Sequence, residues 1–322
     1  MTEADVVIVG RGALAVFASI AARRRGLEAL RIGTGLPFER FLLLHENALR
    51  ILERTCGEAV GHPLKGIRVL DRNLEPLREI SFTRYGLRLH AMRYTDLLAF
   101  LRERDDTREV EGRVVALEPD GVARLEDGRE FRARRMVVNT ASGFARPRLR
   151  FRHRKVFRTG FVDHCPDPDR VVQINDAGTY AAIVPFGRGA AIACSGDTAP
   201  LERLFGGDPG LSDFRELRLE TWCGTGVRRG RVFHVGEALR RVHPHTGQGL
   251  NRALDTVDAI FGNDGLFRER VYDCLMWAGG VMLDLSWGTS PFLRDLSYAL
   301  LDNAPGMKLL SGTAWWRGSA RT

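Results

Sequence analysis

The stretch over residues 6–26 constrains the fold of this chain more than any other. It begins with a β-branched run, VVIV, long enough for one buried strand, and continues after a turn as a helical pattern that becomes basic before Gly26. The turn and the helix start fit G-x-G-x-x-A, the dinucleotide form of a strand–turn–helix unit. The matching residues, with the first helical residue, are Gly10, Gly12, Ala13 and Ala15. The sequence therefore predicts a nucleotide-binding unit in which free N–H groups at the helix start face a pyrophosphate.

Composition excludes several other classes of protein. The chain has 322 residues, of which 44% are hydrophobic and 27% charged, as in a soluble globular protein with two intertwined domains. Its net charge of +8 is scattered, without the aromatic interleaving of a nucleic-acid groove, so we expect no nucleic acid as partner. No apolar run reaches about 18 residues and no signal-peptide pattern opens the chain, which predicts a cytoplasmic protein without an integral membrane segment. The five cysteines lack a C-x-x-C motif, which favours reduced thiols and no metal site.

The end of the second predicted strand, residues 27–32, departs from the dinucleotide pattern. A dinucleotide site places Asp or Glu there to accept hydrogen bonds from the adenosine ribose. In this chain the position falls on Gly33. An NADP-binding site with Arg31 or Arg40 on the 2′-phosphate is an alternative, but it leaves a second glycine-rich segment unexplained.

Along the rest of the chain, alternating patterns predict strands and 3.6-residue patterns predict helices. The predicted elements are a helix over 38–53, a hairpin over 66–82, a helix over 94–104, a meander over 110–132, a strand over 135–139, strands between 171 and 195, a helix over 201–219 and a strand over 231–235. No Pro/Gly/Ser linker divides the chain, so we expect insertions within the nucleotide unit and no separate domain after it.

An arginine-rich stretch covers residues 144–155. The alternate positions of this stretch hold Arg146, Arg148, Arg150, Arg152 and Arg154. In an extended strand these side chains would share one face. That face is either an ordinary solvated surface or a contact surface for an anionic substrate, a cofactor phosphate or an acidic carrier protein.

The second glycine-rich signature lies in residues 231–254, RVFHVGEALRRVHPHTGQGLNRAL. A predicted strand ends at Gly236 and Glu237, and a loop then leads into a helix. The residues of the loop and helix start that carry the signature are Pro244, Gly247, Gly249, Leu250 and Asn251. With the N-terminal fingerprint, the segment resembles the FAD-dependent monooxygenases of the para-hydroxybenzoate hydroxylase and ubiquinone-biosynthesis hydroxylase type. There, P-x-x-G-x-G-x-N places helix-start N–H groups near the N1/O2 edge of the flavin.

The resemblance implies an α/β fold and a set of cofactors. A Rossmann-like FAD-binding domain would be interleaved with a β-rich substrate domain and followed by C-terminal helices. The implied limits are 1–65, 88–145 and 227–262 for the FAD-binding domain, 66–87 and 146–226 for the substrate domain, and 263–322 for the helices. FAD would be the bound cofactor and NAD(P)H its transient reductant. Three further positions match cofactor-binding segments of the family: Arg40, Arg93 and Ser142.

Several positions depart from the family's pattern of carboxylates. Gly33 replaces the ribose-binding acid, Ser142 replaces the aspartate of an A-D-G segment, and Glu237 is one methylene longer than the usual aspartate. Thr256 stands where the family has an acid five residues after the helix asparagine, with Asp255 beside it. Each loss removes hydrogen bonds to FAD, whereas the main-chain contacts at the glycines persist.

The implied reaction is that of the family. A nicotinamide reduces the flavin, and a flavin C4a-hydroperoxide then hydroxylates or epoxidises a small hydrophobic or aromatic substrate. His243 and His245 flank Pro244 beside the expected ring and are candidates to tune the flavin or carry a proton; as the alternative, they are loop histidines bonded to the main chain. The alternative function, favoured by the missing acids, is a flavin-free cyclase, isomerase or binding protein.

Overall fold

The structure is a computed structural model. It describes residues 2–35, 39–140, 144, 147–176, 179–224, 226–242, 248–262, 292, 295–296, 298–299 and 302–311. The strands are β1 Thr2–Val9, β2 Ala29–Gly33, β3 Phe41–His45, β4 His62–Leu64, β5 Gly66–Leu70, β6 Pro76–Ser81, β7 Leu89–Arg93, β8 Arg108–Glu111, β9 Val114–Glu118, β10 Val122–Leu125, β11 Glu130–Val138, β12 Pro147–Val162, β13 Arg170–Asp176, β14 Thr179–Phe186, β15 Gly189–Gly196, β16 Ser212–Gly224, β17 Arg228–Arg229, β18 Val232–His234 and β19 Arg240–Arg241. The helices are α1 Ala13–Arg23, α2 Glu46–Cys56, α3 Tyr94–Arg102, α4 Ala199–Phe205, α5 Gln248–Phe261 and α6 Ala304–Leu310.

A mainly parallel sheet carries both glycine-rich segments. Its strand order is β17-β18-β11-β1-β2-β8, and the pairs from β18 to β8 are all parallel. Val6 and Ile8 of β1 face a layer of helices that includes α1, α2, α3 and α5. Val7 and Val9 face the antiparallel meander of β9, β10 and β11 on the other side. Because both faces are covered, β1 is a continuous apolar run, as the sequence predicts.

A second sheet is mostly antiparallel, in the order β19-β16-β12-β15-β14-β13-β5-β6. One face packs on a small sheet of β3, β7 and β4 and on Tyr298 and Met307 near the C-terminus. The other face packs on α4 through Leu201. Strand β19 lies within the second glycine-rich signature, between Glu237 and the start of α5, and pairs with β16, so the chain crosses from the parallel sheet to the second sheet inside that signature.

Two predicted helices, over 38–53 and 201–219, are wrong for part of their length. Residues 41–45 form strand β3, which pairs with β7, and the helix begins only at Glu46. The predicted helix over 201–219 ends at Phe205, because Gly206 and Gly207 both take positive φ angles. The chain then alternates polar and apolar residues and pairs with β12 as β16. Among the described residues, no helix is long and apolar enough to cross a membrane.

Candidate cofactor groove

The β1–α1 turn has the backbone geometry that the fingerprint predicts. Gly10 has φ +142°, which disfavours any side chain, and its N–H donates to the Ile32 carbonyl at 2.8 Å. A methyl group on Gly10 would touch Ala15 Cβ at 3.4 Å, so the turn packs directly on the helix. The first turn of α1 contains no acidic residue, and Gly12 provides no side-chain cap. The start of α1 is therefore compatible with a phosphate, which the helix dipole would favour.

The end of β18 lies against the same turn. Gly236 has φ +54°, and a Cβ there would meet Asn139 Oδ1 at 2.5 Å and Leu14 Cδ2 at 2.9 Å. Asn139 also donates its backbone N–H to the Val9 carbonyl at 2.9 Å, so it lies between the two glycine-rich segments. Asn139 is not among the predicted site residues; its place directly after β11, at the end of a buried strand, is the signal in the sequence that points to it. The two signatures, over 200 residues apart in sequence, thus meet at one edge of the parallel sheet.

Glu237 is the centre of a row of polar and aromatic contacts along this edge. Its carboxylate lies 3.6 Å from Arg40 and 2.9 Å from Arg241, and the Arg241 guanidinium lies over the Trp222 ring at 4.3 Å. Arg40 in turn lies over the ring of Tyr94 at 4.4 Å. The row runs from the start of α1 to the second sheet, and it brings the predicted residues Arg40 and Glu237 together.

Tyr94 reaches the start of α1, which the sequence analysis did not predict. Its hydroxyl oxygen accepts a hydrogen bond from the Ala13 N–H at 2.7 Å, and a methyl group on Gly12 would collide with that hydroxyl. Tyr94 shares the buried face of α3 with Leu97 and Leu101, at the i, i+3 and i+7 spacing. That spacing is the signal in the sequence that indicates a buried Tyr94. The residue before it, the predicted ligand Arg93, lies outside the stripe.

Arg93 points its guanidinium towards the second sheet, over the rings of Phe161 at 4.9 Å and Phe186 at 5.0 Å. Cations stack favourably on aromatic faces, so these contacts fix its direction. The structure therefore brings Tyr94 to the start of α1 and directs its neighbour Arg93 to the second sheet.

The end of β2 has no carboxylate of its own, as the sequence predicts. Gly33 is covered by Arg11, whose Cγ lies 2.7 Å from where a Cβ would be. Arg11 forms an ion pair with Glu109. Although burial alone would raise the pKa of Glu109, the hydrogen bond from Arg31 and the charge of Arg11 lower it, so this carboxylate stays ionised. Arg31 is buried and paired with Asp105, which removes it as a ligand for a 2′-phosphate.

The start of α5 is tied to β3 beside the groove. Asn251 Oδ1 accepts from the His45 N–H at 2.9 Å, and its Nδ2 donates to the Leu43 carbonyl at 2.8 Å. Asn251 thus positions the helix start, on which Gly249 and Leu250 lie. The other predicted site residues of this part, with one from the A-D-G-like segment, lie outside the described residues: Ser142, His243, Pro244, His245 and Gly247.

The arrangement of the main chain fits a flavin dinucleotide. The turn at Gly10 and Gly12 brings bare backbone to a helix start, Gly236 brings the end of β18 beside it, and α5 packs against α1 and the turn after β18. Glu237 places one carboxylate beside this main chain, where it pairs with Arg40 and Arg241. Gly33 supplies none, and one of the helix-start donors, the Ala13 N–H, is taken by Tyr94.

A cavity of about 230 Å³ lies on the opposite side of the parallel sheet. Its walls include Leu117 of the meander and Val232, which packs with the meander and not with the helices. Arg228 and Arg229 lie at the same cavity. Ala238 and Leu239, which follow Glu237 directly, also line this cavity.

Comparison with known proteins places this fold. No protein-family model matches the sequence, and no curated protein matches it. Among solved structures, PqsL of Pseudomonas aeruginosa, in complex with 2-aminobenzoylacetate, has a TM-score of 0.75 at 19% identity over 94% of this chain and 100% of that one. PqsL is also described as a probable FAD-dependent monooxygenase.

Two further solved structures have a similar fold along nearly the whole chain. The p-nitrophenol 4-monooxygenase PnpA of Pseudomonas putida has a TM-score of 0.75 at 15% identity, over 98% of this chain and 99% of that one. A tetrameric 2-methyl-3-hydroxypyridine-5-carboxylic acid oxygenase has 0.72 at 17%, over 96% of each chain. The predicted fold class is confirmed: the chain has the α/β fold of these oxygenases along nearly its whole length. Identities of 15–19% establish the fold alone, because one fold can carry several activities.

Proposed function

We propose that the protein is an FAD-dependent monooxygenase that acts on a small aromatic or hydrophobic substrate, with NAD(P)H as reductant. The observation that carries the proposal is the meeting of Gly10, Gly12 and Gly236 at one edge of the parallel sheet, beside the start of α5. A dinucleotide needs this combination of bare main chain and helix-start N–H groups. The fold shared with oxygenases of aromatic substrates supports it.

The chain's own groups would then have separate roles. The N–H groups at the start of α1 would hold the pyrophosphate, and the Glu237 carboxylate would accept hydrogen bonds from sugar hydroxyls. The loop before α5, with His243 and His245, would lie at the flavin ring, as the family resemblance implies. Bound FAD supplies the chemistry that puts one atom of O₂ into the substrate, while the other leaves as water and NAD(P)H provides two electrons.

An absorption spectrum tests the proposal. We expect protein reconstituted with FAD and freed of excess cofactor to show the two visible bands of bound oxidised flavin, and to oxidise NAD(P)H faster when an aromatic substrate is present. Glu237→Ala should lose most of the bound flavin, whereas Glu79→Ala, which removes a carboxylate in a comparable ion pair on β6, should retain it. Protein that stays colourless after reconstitution would favour the flavin-free alternative.

The arginine-rich strand supports a narrower proposal about the partner. Arg150 and Arg152 both pair with Glu220 of β16, and Arg152 is 80% exposed, so the single carboxylate leaves excess positive charge on this face. A register shift after Arg152 interrupts the alternation. The side chains of Arg146, Arg148 and Arg154 lie outside the described residues. We propose that the face receives an anionic substrate or an acidic carrier protein. Added salt should lower the turnover rate of an anionic substrate more in wild type than in Arg152→Gln, because salt screens the charge that the variant already lacks.

We propose that the chain is divided into an FAD-binding domain, a substrate domain and a C-terminal helical segment. The FAD-binding domain would comprise residues 1–65, 88–145 and 227–262, the substrate domain 66–87 and 146–226, and the C-terminal helical segment 263–322. Limited proteolysis of the flavin-loaded protein, with fragments mapped by mass, tests these limits. A cytoplasmic location stays a prediction as well.

A further inference from the structure

Tyr94 accepts a hydrogen bond from the Ala13 N–H, a donor that the proposed cofactor needs. Its side chain comes from α3, 81 residues along the chain from Ala13, and is buried, with an exposed fraction of 3%. The hydroxyl oxygen accepts the Ala13 N–H at 2.7 Å, and this N–H is one of the helix-start donors that a pyrophosphate would need. The phenol also fills the space opposite the bare backbone of Gly12, which the fingerprint keeps free for a pyrophosphate.

The surrounding structure holds Tyr94 in this position. Glu39 Oε1 accepts the Tyr94 N–H at 3.1 Å, and the Arg40 carbonyl accepts the same N–H at 2.8 Å. The Arg40 guanidinium covers the outer face of the ring at 4.4 Å. Because both ends of the residue are fixed, its hydroxyl contact with α1 is part of the fold and does not result from a freely rotating side chain.

Resting on the proposed function, we propose that the Tyr94 hydroxyl and the pyrophosphate of FAD compete for the Ala13 N–H, so that Tyr94 sets the affinity for the cofactor. Binding of the dinucleotide replaces the phenol oxygen on this donor with a phosphate oxygen. In the free protein one helix-start donor is therefore already satisfied, and the cofactor binds less tightly than it would if that donor were open. No covalent step is involved.

The experiment compares wild type, Tyr94→Phe and a control, Tyr85→Phe. Phenylalanine keeps the ring under Arg40 and removes only the competing oxygen. Tyr85 donates its hydroxyl to Asp302 at 3.1 Å in the second-sheet region, so its variant loses a comparable hydrogen bond away from the groove. Each protein, free of cofactor, is titrated with FAD, followed by flavin fluorescence, and with ADP-ribose, which carries the adenosine and the pyrophosphate without the flavin, followed by calorimetry.

We expect Tyr94→Phe to bind both probes about threefold to tenfold more tightly than wild type, the factor for one hydrogen bond lost only from the free state, and Tyr85→Phe to match wild type. Hydrogen exchange gives a readout without any ligand. The Ala13 amide of the free protein should exchange faster in Tyr94→Phe and return to slow exchange when ADP-ribose is bound.

Each other outcome is decisive. Unchanged affinity in Tyr94→Phe, or weaker affinity because the hydroxyl donates to the bound phosphate, overturns the competition while leaving FAD binding intact. Tighter ADP-ribose binding in Tyr94→Phe, with no FAD binding by any variant, supports the competition and rejects the flavin-dependent function. Failure of all three proteins to bind either probe at millimolar concentration overturns both.

Discussion

Replacing Glu237 by alanine should separate cofactor binding from folding. In the free protein its carboxylate forms ion pairs with Arg40 at 3.6 Å and with Arg241 at 2.9 Å, and it is 44% exposed. Pairs of this exposure contribute about 0.2–1 kcal/mol each, so the free energy of unfolding should fall by less than about 2 kcal/mol. A charge-assisted hydrogen bond to a sugar hydroxyl is worth about 1.5–3 kcal/mol, which corresponds to a loss of FAD affinity of about tenfold to 150-fold.

The assay measures both quantities on the same preparations. Urea unfolding of the cofactor-free protein gives the stability, and flavin fluorescence titration gives the Kd for FAD. The matched control is Glu79→Ala, which breaks an ion pair with Arg170 at 2.9 Å, with the carboxylate 52% exposed. We expect the control to lose a similar, small amount of stability and no FAD affinity.

The reasoning is refuted if Glu237→Ala binds FAD as wild type does, because the carboxylate would then serve only its two arginines. It is refuted equally if Glu79→Ala weakens FAD binding by the same factor. In that case the effect would follow from the loss of any comparable ion pair and not from a contact at the groove.

The remaining predictions concern the scaffold. Glu46→Gln should lower the free energy of unfolding by about 2–3 kcal/mol, because its buried carboxylate accepts charge-assisted hydrogen bonds from Arg88. Burial alone would raise the pKa of Glu46, but these bonds lower it, so the stability it adds is present above its ordinary pKa of 4.5 and is lost as the pH falls through the lower folded value. Urea unfolding from pH 7 downwards checks this, and a wild-type-minus-variant difference that does not shrink in acid would contradict it. Gly236→Ala should cost more stability than Gly86→Ala, since both have positive φ but only Gly236 has close neighbours for the added methyl group; equal melting temperatures would show that crowding at Asn139 is relieved freely. Burial raises the pKa of the Cys56 thiol from 9.0 to about 11, so iodoacetamide at about pH 8 should label it roughly 100-fold more slowly than an unshifted thiol, as peptide mass mapping will measure; labelling at the rate of the unfolded protein would argue against that burial.

The parts of the fold that sequence patterns predict are those that depend on local geometry. The β1–α1 turn is one case, because the positive φ of Gly10 and the small side chains at the helix start are needed by the main chain itself. The hairpin of β5 and β6 and the meander up to β11 are others, since alternation and turn residues lie close together in sequence.

Strands that depend on distant partners were misassigned as helix. The segment FLLLH has no clear period of its own, and it becomes β3 because β7, more than 40 residues away, supplies its hydrogen bonds. Strand β16 likewise forms against β12. In both cases a non-local pairing outweighed a local helical preference, which no single stretch of sequence reveals.

The candidate site shows the same division. The sequence by itself determined where the chain exposes bare main chain, at Gly10, Gly12 and Gly236. The glycines at these positions are required by the conformation of the adjoining backbone. Only the tertiary structure decided what approaches that main chain. Asn139 between the two segments and Tyr94 on the Ala13 N–H come from separate strands and helices, and their positions follow from how the layers pack and not from any spacing along the chain.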